Sequence, residues 1–132
     1  MTITPEAVAR LAEDYTAAWN SGSAESVASF YAEDGEIVIN GGEPWQGRGG
    51  VAAMASGFYA DVPDLALVCD GIRCAGDHAV YLWTFTGHHA ETGNRLTVQG
   101  FEEWELNDDG TVQRSLGWFD AEDYARQATG SP

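Results

Sequence analysis

The sequence has no lysine, so its positive side chains are 6 arginines, set against 21 acids for a formal charge of -15 over 132 residues. A field of that sign repels phosphate backbones and anionic headgroups, which argues against nucleic acid and membrane surfaces as partners. Without lysine there is no Schiff-base or lysine-base chemistry. Cysteine is scarce: Cys69 and Cys74 are the only 2, they are not at zinc-finger spacing, and no suitably spaced histidine pair accompanies them. No apolar run reaches the ~18 residues of a membrane span, and the N-terminus has no signal-like segment, so the expectation is a cytoplasmic protein with reduced thiols. A glycine-rich phosphate loop and a G-x-S-x-G elbow are also missing. His88 and His89 are adjacent, and neighbours in a strand face opposite ways, which separates them as ligands of one ion. The sequence asks for no metal and no cofactor.

What is abundant is aromatic surface, with 5 Trp, 5 Tyr and 5 Phe. That supplies both a core and walls around a ligand. The length suits one domain spanning residues 1–132, long enough to bury about two-thirds of its unfolded surface. Thr4 as a cap, Pro5 at the first helical position, and Val8, Leu11, Tyr15, Ala18 and Trp19 on one stripe predict a helix that stops at Asn20-Ser21-Gly22. Ser23 caps a second, shorter helix whose buried side is Val27, Phe30 and Tyr31 and which Asp34-Gly35 ends. Residues 36–40 read as a strand, followed by a glycine-rich turn that holds Trp45. A third helix carries Val51, Met54, Ala55, Phe58, Tyr59 and Val62 at helical spacing and is closed by Pro63.

Strands then dominate. Residues 65–74 form one, with a bulge at Asp70-Gly71. Residues 78–89 form another with Tyr81, Trp83 and Phe85 on one face and Val80, Leu82 and Thr84 on the other, which predicts a central strand covered on both sides. Residues 95–106 and 111–120 flank a hairpin signal, Asn107-Asp108-Asp109-Gly110. A terminal helix over 121–128, capped by Asp120, and a frayed tail over 129–132 complete the chain. Helices first and antiparallel strands after them predict an α+β fold with helices on one face of a curved sheet and a cavity at its open end.

Within the third of these strands, Gly100-Phe101-Glu102-Glu103-Trp104-Glu105-Leu106 puts one acid among apolar neighbours. Alternation sets Glu102 on the side of Trp104 and Leu106, and Phe101, Glu103 and Glu105 on the other. An acid turned into a lined cavity has its pKa raised by desolvation and becomes a proton donor near neutral pH; an acid at a sheet end simply reaches water or an arginine.

Taken together, Tyr15-x-x-x-Trp19-Asn20-x-Gly22, Phe30-Tyr31-x-x-Asp34-Gly35, Gly42-Glu43-Pro44 with Gly47-Arg48 before a helix, and Gly100-x-Glu102 with Asn107-x-x-Gly110 resemble the nuclear-transport-factor-2-like superfamily. Within it the chain is similar to SnoaL-like polyketide cyclases and ketosteroid isomerases, over about residues 11–127. The resemblance implies a cone-shaped half-barrel, with N-terminal helices packed in the concave face of a strongly curved, largely antiparallel sheet. It further implies a homodimer joined across the outer sheet face and a pocket for a hydrophobic small molecule.

Roles carried over from the resemblance fall on single positions. Tyr15 stands where ketosteroid isomerases keep the tyrosine that donates to the substrate oxyanion, and Glu102 where they keep a protonated aspartic acid, a pair whose pKa behaviour is an established example. Other positions depart from the pattern. Ile39 stands at the catalytic-base position of the isomerases, Asn20 at the orienting aspartate of scytalone-dehydratase-like members, and Gly117 where some cyclases offer an acid. His88 or His89, near the barrel mouth, is then the remaining candidate for a general base. Trp19, Asn40, Phe58, Tyr81, Trp83, Phe85, Trp104 and Trp118 are candidates for shaping the pocket or for plain core packing, and Trp45 for a lid or a loop anchor. The expectation is a cofactor-independent acid/base isomerisation, cyclisation or hydration of a hydrophobic carbonyl compound. The alternative is a non-catalytic binding or dimerising module.

Overall fold

The first helix forms because its cap and its apolar stripe agree. In the computed structural model, which describes residues 3–130, α1 (Pro5–Asn20) starts where the Ala7 N–H donates to Thr4 Oγ1 at 3.1 Å. Such a cap is worth about 1 kcal/mol. Val8, Ala12, Tyr15, Ala18 and Trp19 are the residues it buries. Ser23 caps α2 (Ala24–Ala28) in the same way, accepting from the Ser26 N–H at 3.2 Å.

The second helix is shorter than its spacing predicts. Phe30 and Tyr31 leave it, and Tyr31 opens β1 (Tyr31–Ile39). Helical spacing at Val27, Phe30 and Tyr31 loses to pairing with the last strand: Tyr31 lies opposite Val112, and the Val112 N–H donates to the Phe30 carbonyl at 2.9 Å. The ladder shifts register between Tyr31 and Glu36, so Asp34-Gly35 marks an irregularity inside a strand and not the end of a helix. Gly35 fits there because a Cβ would stand 2.8 Å from the Val112 carbonyl oxygen. The glycine-rich turn likewise holds a short strand, β2 (Trp45–Gln46), paired with β1 through Glu36 and Ile37.

The third helix, α3 (Gly47–Asp61), starts ahead of its apolar stripe and ends before Pro63. Strands β3 (Ala66–Ala75), β4 (His78–His88), β5 (Arg95–Leu106) and β6 (Val112–Phe119) follow as an antiparallel meander. The expected bulge appears as a register shift between Cys69 and Gly71. The Asn107–Gly110 turn closes with a Gly110 N–H to Asn107 carbonyl bond of 2.9 Å. In α4 (Ala121–Thr129) the Asp120 side chain caps the first turn, accepting from Asp123 N–H at 3.0 Å. Of the frayed tail expected over 129–132, Thr129 instead ends the helix and Gly130 (φ 73°) caps it, while residues 131 and 132 lie outside the described part.

One sheet results, in the order β2-β1-β6-β5-β4-β3, with β1 and β6 parallel and the other pairs antiparallel. It is curved and unclosed, and the helices fill its concave side, giving the α+β architecture expected. Strand β4 is not central. It is second from the edge, and only its Ala79, Tyr81, Trp83 and Phe85 face is buried, while Val80, Leu82 and Thr84 are half-buried. The reason is that the described helices pack on a single side of the sheet, so an apolar sequence on both faces does not bring cover for both. The buried side chains form one hydrophobic cluster against the concave face. Among the described residues, no helix is long and apolar enough to cross a bilayer.

Candidate functional site

The alternation along β5 turns Glu102 inward with Trp104 and Leu106, and Glu102 is only 6% exposed. Its neighbours across the sheet are Tyr81 on β4 and Gly117 on β6. Gly117 matters because it is empty: a Cβ there would lie 3.1 Å from Ile39 Cδ1 and 3.8 Å from Glu102 Cγ. A side chain at that position would crowd the space in front of the carboxyl.

Behind the carboxyl stands a set of donors. Oε1 accepts from Ser115 Oγ at 2.8 Å and from Trp104 Nε1 at 2.9 Å. The hydroxyls of Tyr15 and Tyr31 reach it at 3.1 and 3.3 Å and lie 3.0 Å from each other. Oε2 has a single hydrogen-bond partner among the described residues, the Tyr15 hydroxyl at 3.2 Å. None of these donors carries a positive charge. Burial, the largest influence on Glu102, therefore raises its pKa, and the hydrogen bonds from Trp104, Ser115, Tyr15 and Tyr31 offset only part of that rise. The same burial, with the Glu102 charge beside them, pushes Tyr15 and Tyr31 well above the ordinary phenol value, so both remain donors. With Oε1 already saturated, a proton on the carboxyl belongs on Oε2.

In front of Glu102 lies a small cavity of about 40 Å3. Ile37, Ile39 and Gly117 form its wall beside the acid, and Leu65, Leu67, Met54 and Phe119 continue it. Of the residues expected from sequence, Trp19, Phe58, Trp83 and Phe85 line it together with Glu102. Glu102 is the one ionisable side chain in this lining. Among the described residues, no group of three or more His, Cys, Asp or Glu is placed to hold a metal ion.

The other expected residues stand elsewhere. Tyr15 is joined to Glu102 but lies behind it, wholly buried, and is not part of the cavity wall. Tyr81 and Trp104 are stacked at 5.0 Å and 13° in the layer beneath Tyr15, again off the cavity. Asn40, in the left-handed region at φ 51°, ties the end of β1 to β6: its side-chain oxygen accepts from Phe119 N–H at 2.9 Å. Trp45 and Trp118 are exposed by 42% and 41% and do not line the cavity. His88 sits at the open end of β4, half-exposed, with Nδ1 2.6 Å from Asp64, because the strand ends there and its last side chain turns to solvent. His89 has a buried Nδ1 with no hydrogen-bond partner among the described residues, and its ring packs edge-on to Tyr124 at 6.4 Å. Asn20, at a family acid position, makes two backbone bonds to Leu67 that pin β3 to α1.

Several contributors escaped the sequence: Ser115 and Tyr31 behind the acid, and Ile37, Met54, Leu65, Leu67 and Phe119 in the cavity wall. Ser115 and Phe119 share a strand face with Gly117, so period-two alternation along β6 was the signal that could have found them. Tyr31 was hidden by helical spacing that its backbone does not follow.

Comparison with known proteins fits this geometry. The family profile of the SnoaL-like domain matches residues 12–115. The chain belongs to the SnoaL-like domain family. No curated protein matches it. Among solved structures, this SnoaL-like domain is similar to a protein of ketosteroid isomerase-like fold from Catenulispora acidiphila DSM 44928, in complex with trimethylamine. That pair shares 19% identity at a TM-score of 0.83, over 98% of this chain and 96% of the other. It is also similar to a protein assigned as a SnoaL-like polyketide cyclase from Jannaschia sp. CCS1, with 17% identity, TM-score 0.81, and 100% and 99% of the two chains covered. A third is TerC co-crystallised with polyporic acid, at 17% identity and TM-score 0.80, covering 93% and 98%. At such identities the likeness is one of fold.

Proposed function

We propose that this SnoaL-like domain is an enzyme that binds a hydrophobic, carbonyl-bearing small molecule and moves a proton on it. The reaction class is isomerisation, cyclisation or hydration. The observation that carries this reading is a solitary carboxyl in the wall of an otherwise apolar cavity, with one oxygen saturated by donors and the other nearly free. Glu102 is the acid, presenting its proton from Oε2 to the oxygen of the ligand. Tyr15, Tyr31, Trp104 and Ser115 act through Glu102 as positioning residues. The aromatic walls, Trp19, Phe58, Trp83 and Phe85, hold the ligand by shape and stacking. Ligands in structures of the same fold support a small-molecule occupant.

The test is solvent deuterium exchange at the carbons next to the carbonyl in a set of flat cyclic ketones. Catalysed exchange by the wild-type protein that is lost in Glu102→Gln supports the reading. Exchange unaltered by that substitution, or a Glu102 carboxyl titrating by 13C NMR at the ordinary value of about 4.3, removes it.

A second reading has its own support. Glu102 is the one ionisable group lining the cavity, so no separate general base stands opposite it, which favours a binding module. Saturable ketone binding with no exchange by the wild-type protein is the outcome that selects it. A homodimer through the outer sheet face, where Val68 and Trp118 are exposed, belongs to either reading and is checked by sedimentation equilibrium.

A further inference from the structure

The cavity is smaller than the ligands its chemistry suits. About 40 Å3 of space lies in front of Glu102, whereas an apolar cavity that holds benzene measures about 150 Å3. A ring-sized molecule therefore enters only if part of the wall moves outward. The wall draws on α1, α3 and strands β1, β4, β5 and β6, with Leu67 of β3 and Leu65 just before it. Strands β1, β4, β5 and β6 each have a neighbour on both sides, while β3 ends the sheet with β4 alone beside it. The edge strand is the part of the wall with the least lateral support.

Asn20, the last residue of α1, holds the outer edge of that strand. Its Nδ2 donates to the Leu67 carbonyl at 2.8 Å, and its Oδ1 accepts from the Leu67 N–H at 2.6 Å. Leu67 lies opposite Phe85 of β4, and along an antiparallel edge alternate residues turn both backbone groups away from the partner strand. One side chain thus takes the place of a missing strand. Among the described residues, it is the one side chain hydrogen-bonded to the backbone of residues 65–69. The segment it grips is short. Asp64, whose Oδ1 accepts from the His88 N–H at 2.7 Å, fixes one end, and the register shift between Cys69 and Gly71 separates the other from the rest of β3. Asn20 is exposed, so water takes over both bonds when the side chain lets go.

We propose that Asn20 is a latch on the β3 wall, and that its release sets the largest molecule the cavity admits. This rests on the reading that the cavity takes a small-molecule ligand, and it does not depend on what Glu102 does to that ligand. Closed, the site holds one small group. Open, with Leu65 and Leu67 drawn outward, it holds a flat molecule of one or two rings. A ligand that needs the open form binds with its intrinsic affinity reduced by the open fraction, so the latch lowers the affinity of large ligands and leaves small ones alone. Asn20 is a positioning residue, since it touches the backbone of the wall and acts on the ligand through Leu67. That is a different use from the acid-orienting one the family resemblance attaches to this position.

The experiment titrates xenon, a single atom suited to the closed cavity, and naphthalene, which needs the open one, into 15N-labelled wild type, Asn20→Ala and Asn20→Asp. Neither probe has a carbonyl, so both report the space and not the chemistry of Glu102. In Asn20→Ala, naphthalene affinity should rise about threefold to tenfold, from the loss of two exposed neutral hydrogen bonds in the closed state, while xenon affinity is unchanged. Asn20→Asp keeps the acceptor for the Leu67 N–H and loses the donor, and should fall between the two. In wild type, naphthalene but not xenon should shift the Asn20 side-chain amide and the Leu67 backbone amide. Naphthalene bound no more tightly by Asn20→Ala than by wild type overturns the latch and leaves the proposed function standing. So does a xenon affinity that rises with it, which marks general loosening. No saturable binding of either probe by any of the three proteins overturns the latch and the ligand-cavity reading together. Where Asn20→Ala does not fold, the wild-type shifts decide, and bound naphthalene with Asn20 and Leu67 unmoved overturns the latch.

Discussion

Replacing Ser115 by alanine removes one short hydrogen bond to Glu102 without touching the cavity lining. Ser115 is fully buried, and its hydroxyl donates to Oε1 at 2.8 Å. The lost bond has a different worth in the two states of the carboxyl: about 1 kcal/mol to a neutral acid and about 1.5–3 kcal/mol to a carboxylate. The sign of the pH effect follows from burial, which raises the folded-state pKa of Glu102 above its unfolded value. The favourable contribution of this group to stability is thus complete below about pH 4.3 and is lost as pH rises through the folded value. Ser115→Ala takes a donor away from the charged form, so it moves the folded value further up and deepens that loss. Urea unfolding of both proteins at about pH 4 and about pH 8 measures the difference, and comparing variant with wild type at each pH cancels the titration of the many surface acids. The expected destabilisation is about 1 kcal/mol where the carboxyl is protonated and about 1.5–3 kcal/mol where it is ionised, with the rise setting in above the ordinary carboxylate range as a pH series is followed. A loss that has already reached its full value by about pH 5 would refute the claim that Glu102 is a buried, proton-bearing acid held from behind by donors.

Three further outcomes are expected. Gly117→Ala puts a methyl group 3.1 Å from Ile39 Cδ1 beside the acid; it should weaken binding of a flat cyclic ketone severalfold with a stability cost of about 1 kcal/mol, read by calorimetry and urea unfolding. Gly100→Ala is harsher, because the added carbon would meet the Trp118 carbonyl oxygen at 2.4 Å and Trp83 Cζ2 at 2.4 Å; a loss above about 2 kcal/mol is expected by urea unfolding. His88→Ala removes an exposed hydrogen bond with Asp64 that lies away from the cavity; ketone binding and any deuterium exchange should match wild type across pH, and a changed pH profile would return His88 to the chemistry.

Much of this molecule was written in local pattern. The Thr4-Pro5 start of α1, the Asp120 cap of α4 and the Asn107–Gly110 hairpin depend on short-range hydrogen bonds and on glycine where φ is positive, and such features are carried by a few neighbouring residues. Alternation in β5 was enough to turn Glu102 inward, since a strand has only two faces. Where contacts between distant segments compete with local spacing, the pattern misled. Tyr31 looks helical beside Val27 and Phe30, yet pairing with Val112 draws it into β1 and brings its hydroxyl to Glu102. The apolar run of β4 predicts cover on both faces, which depends on where the helices go and not on the strand itself.

The sequence by itself determined the α+β class, the order of the elements and the presence of an inward acid, because capping, periodicity and alternation are properties of neighbours along the chain. Only the tertiary structure decided which groups surround that acid. It put Tyr15 behind the carboxyl, Trp19 in the cavity wall, Gly117 as the gap in front, and His88 out in solvent. Those placements come from how β1, β5 and β6 register against one another and against α1, and registration between distant segments is set by the packing of the whole core.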